Sequence, residues 1–376
     1  MSLFNVYPLF DITPIKATDV FVYDENDTEY LDLYGGHAVI SIGHSHPTYV
    51  NNISDQVSKL GFYSNSIQNP LQVALANELV EQSNCKDYQL FLCNSGAEAN
   101  ENALKLASFH TGKKKVISFT NSFHGRTSAA VAATDNAKIV APINAQQEVA
   151  FFDLGDLKAV EKELQKGDVC AVIIECIQGV GGLDESTTEF YQGLDKLCKQ
   201  YNALFIADEV QSGFGRTGEF FAFQKHGIQP DVISIAKGMG NGFPIGGILI
   251  HPKIEASYGL LGTTFGGNHL ACVASLTVLE VLKEENLLEN ARVISEYFIE
   301  KTAAIPEIKA IKGRGLMLGL EFDFPIATLR KKLIFKHHIF TGSAKNPNLL
   351  RILPPLTIKK QHVDQFFEAL KNELSN

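Results

Sequence analysis

The chain has 376 residues, 45% of them hydrophobic and 20% charged, with a formal net charge of −9. A single core stops growing at roughly 250–300 residues, so this length predicts two domains of an ordinary soluble protein. The acidic balance argues against a general nucleic-acid binder, which needs a basic face for phosphates, and leaves a locally basic pocket open.

The N-terminus, MSLFNVYPLFDITP, has neither a basic flank nor a long apolar run. No signal peptide or membrane span is expected, and the chain reads as cytoplasmic. Residues 20–23 and 30–33 read as short strands around the turn Asp24-Glu25-Asn26-Asp27, a small β-rich lead-in. His44 and His46 have the spacing of a metal pair, but Pro47 follows and no further ligand has suitable spacing, so the stretch reads as the opening of a helix and no metal is expected.

Helical spacing covers 70–82, a strand 90–93, and then Asn94-Ser95-Gly96-Ala97-Glu98-Ala99-Asn100 leads into a second helical pattern through 103–107. A strand, a turn of small residues and a helix N-terminus offer free N–H groups and the Ser95 hydroxyl to a phosphate; a plain capped helix is the alternative. The strand 116–119 ends in Asn121-Ser122-Phe123-His124-Gly125-Arg126-Thr127. There a ring able to stack on a pyridine, an imidazole and a guanidinium able to grip a carboxylate emerge together, unless Phe123 is core and Arg126 surface.

Residues 145–168 read as a connection with an amphipathic helix, 169–174 as a buried strand ending at Glu175, and 189–201 as a helix. The strand 204–207 delivers Asp208 and Glu209 at its carboxyl end, and 232–236 delivers Lys237 the same way. Ligands of open α/β sheets bind at that edge. A lysine desolvated behind a strand can form a Schiff base, and an acid can keep a pyridinium nitrogen protonated, which together is pyridoxal phosphate chemistry; two ordinary strand-end charges are the alternative. Gly238, Gly240 and Gly242 are expected to let the backbone turn and leave room beside the amine.

Beyond them come a strand at 248–250, a loop 262–269, helices over 270–283 and 287–304, strands within 316–322, a loop with Gly342 and Pro347, the run 349–355 and a closing helix from 359. Alternating strands and helices in the middle predict a mostly parallel sheet covered on both faces, with an α+β end domain. Six scattered cysteines without a C-x-x-C pair predict buried free thiols in a reducing compartment.

Seven motifs in order, GHSHP (43–47), NSGAEANENALKLA (94–107), NSFHGRT (121–127), ADEVQSGFGRTG (207–218), AKGMGNGFPIGG (236–247), TTFGGNHLA (263–271) and LRILPPL (350–356), resemble those of class III, fold-type I pyridoxal phosphate aminotransferases, within them the N-acylornithine aminotransferases. The resemblance spans nearly the whole chain. It implies an α/β fold: an arm and part of a small domain over 1–45, a large cofactor domain over 46–260, and a linking helix with the rest of the small α+β domain over 261–376.

It further implies pyridoxal 5'-phosphate as cofactor, Lys237 as the Schiff-base lysine and Asp208 as partner of the ring nitrogen. Val210 would pack under the ring, Phe123 over it, and Gln211 would reach the ring hydroxyl, with His124 and Glu175 also at the cofactor. Ser95, Gly96 and Ala97 would cradle the phosphate with Thr264 of a neighbouring subunit, implying a homodimer with shared sites. Tyr7, His37, Arg126 and Arg351 match substrate-side positions, Arg126 for the α-carboxylate of the ornithine moiety and Arg351 for that of the 2-oxoacid.

The implied reaction moves the δ-amine of an N2-acylornithine, acetyl or succinyl, to 2-oxoglutarate in arginine biosynthesis. Alternatives are a relative acting on ornithine or 4-aminobutyrate, or an aminomutase. A non-catalytic dinucleotide-binding module is disfavoured, because G-x-G-x-x-G does not occur among the glycines after Lys237. The family usually carries a glutamate where this chain has Val180, an acid that pairs with the arginine matched by Arg351. Its absence leaves Arg351 unmasked, a site that the extra carboxylate of a succinyl group would suit, and succinylornithine is expected to be at least competitive with acetylornithine. Cys176 and His269 stand where proline is usual.

Overall fold

The run Val169–Ile174 is buried at every position, as befits a strand covered on both faces. In the computed structural model, which describes residues 3–375, it lies inside a seven-stranded sheet. Met1 and Ser2 of the expected arm and the terminal Asn376 lie outside the described residues. The order across the sheet is Gln89–Cys93, Gly246–Ile250, Val232–Ile235, Leu204–Asp208, Val169–Ile174, Lys115–Phe119 and Val149–Phe152. All adjacent pairs are parallel except the two made by Gly246–Ile250, which runs against both neighbours.

Side chains of these strands alternate between two cores, the period-two rule of a pleated strand. Ile173, Leu204, Ile206 and Val232 join Ala99, Ala103 and Ala107 of the helix Gly96–Thr111. Val172, Ile174, Phe205 and Ile233 turn to the other face, against Tyr191 and Leu194 of Thr188–Tyr201 and Val278 of His269–Glu284. A layered sheet of this kind holds the carboxyl ends of its strands at one rigid edge.

The chain ends meet. Strand Ile339–Phe340 pairs in parallel with Glu29–Asp32 and completes the sheet begun by Pro14–Thr18 and Phe21–Asp24. A further sheet orders Ala310–Arg314, Met317–Glu321, Leu349–Ile352 and Gly342–Ser343. The histidines of 44–46 turn to separate acids: His44 Nε2 lies 2.8 Å from Asp32 Oδ2, and His46 Nε2 2.8 Å from Glu285 Oε1. Pro47 opens the helix Pro47–Lys59.

Among the elements that the sequence reading did not name, three have a plain physical reason. Val149–Phe152, read as connection, is the half-buried edge strand of the large sheet. Ala310–Arg314, also unread, carries Lys312, Gly313 and Arg314, which dilute its strand character. The helix Ala327–His337 buries only Leu329, Leu333 and Ile334, a stripe too narrow to stand out beside Arg330, Lys331 and Lys332. Among the described residues no helix is long and apolar enough to cross a membrane.

Candidate active site

Strand Leu204–Asp208 ends on Asp208, and the residue after Val232–Ile235 and Ala236 is Lys237; both line a cavity of about 350 Å³. Lys237 takes φ 47°, a left-handed conformation that costs a non-glycine residue about 1–2 kcal/mol. Burial pushes its amine below the ordinary lysine range, opposed by the charges of Asp208 and Glu175 and assisted by Arg351. The following turn requires glycine at Gly240, where a Cβ would sit 2.3 Å from the Phe243 carbonyl oxygen, and at Gly242, whose φ is 102°. At Gly238 a Cβ would meet only ordinary contacts at 3.6 Å.

Asp208 is 4% exposed and held from three sides. Asn100 Nδ2 donates to Oδ2 at 2.7 Å, His124 Nδ1 lies 2.7 Å from the same oxygen, and the Val210 amide donates to Oδ1 at 3.0 Å. Asn100 is itself fixed by Ser234, whose hydroxyl donates to Oδ1 at 2.5 Å. The motif reading missed Asn100 and Ser234; the available signal was one amide in the apolar stripe Ala99, Ala103, Ala107. Neighbouring Glu209 has another task, accepting from the Ser212 hydroxyl and the Ala222 and Phe223 amides at 2.6–2.9 Å, fully buried and pushed up by burial to about 7.

The cavity also gathers Ser95, Gly96, Ala97, Phe123, His124, Arg126, Glu175, Val210 and Gln211, which the sequence had proposed from separate motifs. Ser95 caps the helix Gly96–Thr111, its hydroxyl accepting from the Glu98 amide at 3.2 Å, so the first N–H groups of that helix face the cavity. A Cβ on Gly96 would fall 2.5 Å from Val210 Cγ1, and one on Gly125 2.7 Å from Ala97 Cβ. Glu175 accepts from the Phe123 amide at 2.9 Å and the Gly179 amide at 2.8 Å, and burial raises it above the usual carboxylate range. Arg126 is exposed and lies 6.0 Å from the Phe123 ring centre.

His37 and Arg351 border the cavity without lining it. Gln211 Nε2 donates to the His37 carbonyl at 3.3 Å, while Gln211 Oε1 is buried with no partner. His37 rides a left-handed turn in which Gly35, Gly36, His37 and Ala38 have φ of 54°, 55°, 70° and 61°. Asp32 builds that turn, accepting from the Tyr34 and Gly35 amides at 2.9 and 2.8 Å. Arg351, 3% exposed, donates to the carbonyls of Ser343 and Gly179, both at 2.6 Å, and to the Tyr34 hydroxyl at 3.2 Å. Tyr7, 73% exposed, stands on the arm apart from the cavity, and Thr264 lies on an exposed loop. Cys176 is buried, its carbonyl accepting from Tyr191, and His269 begins a helix capped by Asn268; nothing in the structure explains either residue in place of proline.

The profile of the family described as aminotransferase class-III matches residues 5–374. The acetylornithine aminotransferase of Bacillus subtilis is 38% identical over 100% of this chain and 98% of its own length. A solved N-acetylornithine aminotransferase from Stenotrophomonas maltophilia superposes with a TM-score of 0.82 at 30% identity, covering 98% of this chain and 96% of that one. An ornithine aminotransferase from Toxoplasma gondii, whose active site holds pyridoxal phosphate at partial occupancy, does so with a TM-score of 0.90 at 27% identity over 98% and 93% of the two chains. With its lysine and aspartate facing one cavity and its match running through nearly every residue, this chain belongs to the class-III aminotransferases.

Proposed function

We propose that the protein transfers the δ-amine of an N2-acylornithine to 2-oxoglutarate, giving an N-acylglutamate 5-semialdehyde and glutamate, as a step of arginine biosynthesis. The observation that carries it is the convergence of Lys237 and Asp208 on one cavity flanked by guanidiniums for carboxylate-bearing substrates. Acetylornithine relatives of similar length support the acyl donor.

Pyridoxal phosphate is the cofactor of this family, and the residues present fit it. The partnerless Gln211 Oε1 offers an acceptor to the ring hydroxyl, and Gly96 and Gly125 keep the helix N-terminus open to a phosphate. When bound, its ring supplies an electron sink for a carbanion. Lys237 would hold its aldehyde carbon, and Asp208 Oδ2, fixed by Asn100 and His124, would hold the proton of the ring nitrogen. Once free, the Lys237 Nζ would take the proton from the δ-carbon of the donor, a task its lowered pKa suits. Phe123 and Val210 would clamp the ring from its two faces, and Arg126 would grip the donor's α-carboxylate.

A homodimer is part of the reading. Phe62, Tyr63, Ile67, Tyr258 and Phe265 are exposed, and Phe265 adjoins the exposed Thr264, which would reach the phosphate held by a second copy. The cytoplasm is the compartment we assign, from six buried free thiols. Glutamate release from 2-oxoglutarate, measured with acetylornithine, succinylornithine, ornithine and 4-aminobutyrate, tests the substrate. An acylornithine is expected to lead in kcat/KM; ornithine or 4-aminobutyrate in front would overturn the proposal, and so would cofactor absorption unchanged in K237A.

A further inference from the structure

The motif GHSHP places no residue at the active-site cavity. It walls a second cavity of about 410 Å³, larger than the 350 Å³ beside Lys237 and within the size range of ligand pockets. This cavity lies between Asp19, just past the strand Pro14–Thr18, the segment 42–47, the start of the helix Leu287–Thr302 and the segment 357–359. Its walls are fixed. Asp19 and His44 exchange two backbone hydrogen bonds at 2.8 and 2.7 Å, and Asn290 Nδ2 donates to the Leu356 and Ile358 carbonyls, on either side of Thr357, at 2.6 and 3.0 Å.

Two opposite charges line the cavity without a partner. The Asp19 carboxylate and the Lys359 ammonium make no hydrogen bond or ion pair among the described residues, with each other or with any other group. The remaining charged groups are taken: Glu285 by His46 Nε2 at 2.8 Å, and His44 by Asp32. Two further polar atoms of lining residues are buried and unpaired, the Thr357 hydroxyl and His46 Nδ1, the latter an acceptor because Nε2–H points to Glu285. The active-site cavity has the same feature in Gln211 Oε1 and His124 Nε2. Such atoms are unfavourable, and a hydrogen-bonding ligand relieves that cost. Gly43 keeps Asp19 and Thr357 open to a shared partner. A Cβ there would sit 3.1 Å from Asp19 Oδ1 and 3.2 Å from Thr357 Oγ1, so the two oxygens face one point without bonding each other.

We propose that this second cavity binds a free α-amino acid as its zwitterion, the ammonium held by Asp19 and the Thr357 hydroxyl oxygen and the carboxylate by Lys359. A lone anion would face the Asp19 carboxylate and a lone cation the Lys359 ammonium, whereas a ligand with both charges satisfies both. The site stands apart from the active-site cavity and is tied to it. Asn241 Oδ1 accepts from the Ser41 and Ile42 amides at 2.8 and 3.1 Å, the Ser41 hydroxyl donates to the Gly238 carbonyl at 2.8 Å, and the Tyr49 hydroxyl donates to that of Gly240 at 2.6 Å. The segment that walls the cavity therefore also braces the turn after Lys237.

The test uses α-methyl-L-leucine, a zwitterion whose α-carbon has no hydrogen to lose in transamination, with 4-methylpentanoate and 3-methylbutylamine as its single-charge counterparts. Calorimetric titration of the holoenzyme is paired with the visible absorbance of the cofactor, which responds to an amine entering the active site. The expected result is one-to-one binding of α-methyl-L-leucine that leaves the absorbance unchanged, at least about tenfold tighter than either counterpart and at least about tenfold weaker in D19N and in K359Q. Asparagine also tolerates the left-handed φ of 53° at position 19, and if either variant fails to fold, the other variant and the probe series decide. No binding overturns the proposal, as does binding that both variants retain or that moves the cofactor absorbance, which would place it in the active site. If 4-methylpentanoate binds as tightly as the zwitterion, the cavity is a plain anion site and the amino-acid assignment falls. Each of these failures leaves the aminotransferase reading in place.

Discussion

Placing one methyl group on Gly96 tests whether Val210 and the helix N-terminus form the cofactor's seat. The Cβ of G96A would lie 2.5 Å from Val210 Cγ1 and 3.0 Å from Cγ2, the first at least about 1 Å and the second at least about 0.5 Å inside the ordinary carbon–carbon separation of about 3.5–4.0 Å. Without cofactor the valine can yield into the cavity; with a ring against it that escape is closed. The strain therefore falls on binding. Overpacking by a methyl costs about 1–3 kcal/mol, partly offset by the better helix propensity of alanine. Moving Val210 also stretches the 3.0 Å bond from its amide to Asp208. The expected result is a 5- to 100-fold rise in the Kd for pyridoxal phosphate, read from visible absorbance on titrating the apoprotein, with the melting temperature of the apoprotein little changed. G238A is the control, because its Cβ meets only 3.6 Å contacts. Parental affinity in G96A, or an equal loss in G238A, would refute the reasoning.

N100A removes one of three hydrogen bonds to Asp208, a bond to a charged group worth about 1.5–3 kcal/mol; kcat should fall at least tenfold with KM little changed, and a proportional rise in KM would assign Asn100 to substrate binding. For Glu209 the folded value of about 7 lies above the unfolded 4.5, so its stabilising contribution is complete below pH 4.5 and is lost as pH rises through 7. At about 1.4 kcal/mol per pH unit the loss is about 3 kcal/mol, and urea midpoints at pH 5 and pH 8 should differ less in E209Q than in the parent. Glu373 behaves oppositely: Lys336 first, then His337 and Lys332, hold it down at about 2, so its contribution is present above pH 4.5 and disappears as pH falls towards 2. E373Q should lower Tm at pH 7 and converge with the parent near pH 2. In the apoprotein K237G should melt above K237A, since only glycine tolerates φ 47° without strain, and the reverse order would show that position 237 is unstrained.

The large sheet was legible because its strands are unbroken apolar runs closed by glycines or charges, and the residues at their carboxyl ends, Asp208, Lys237 and Glu175, line the cavity that the strand-end rule predicts. What stayed hidden is what three-dimensional proximity alone creates. Asn100 stands more than a hundred residues from Asp208, and Tyr34 more than three hundred from Arg351, and neither pair has a spacing to find. The glycines after Lys237 were read as the source of backbone freedom; Gly242, at φ 102°, is one such position, while Lys237 also takes a left-handed angle and Gly240, not Gly238, is the crowded one. His37 gave no local sign that it would sit on four successive left-handed residues, because a turn of that kind is fixed by Asp32 and by Gly35 packing against the Leu353 carbonyl.

Net charge is a poor guide to the site because the acids and the cations around it are treated differently by burial. Of the nearby carboxylates, Asp208 lies against the His124 imidazole, and Glu175 is raised by burial towards its protonated form, so it presents less negative charge than a formal count gives. The guanidiniums of Arg126, which lines the cavity, and Arg351, which borders it, stay charged and lack acidic partners among the described residues. An acidic protein of net charge −9 therefore keeps an electropositive mouth. A low-dielectric cleft focuses that field and concentrates dicarboxylate substrates from solution. The same asymmetry suits the Lys237 amine: Arg351 favours its neutral, nucleophilic form, while Asp208 and Glu175 oppose it too weakly to cancel the effect of burial.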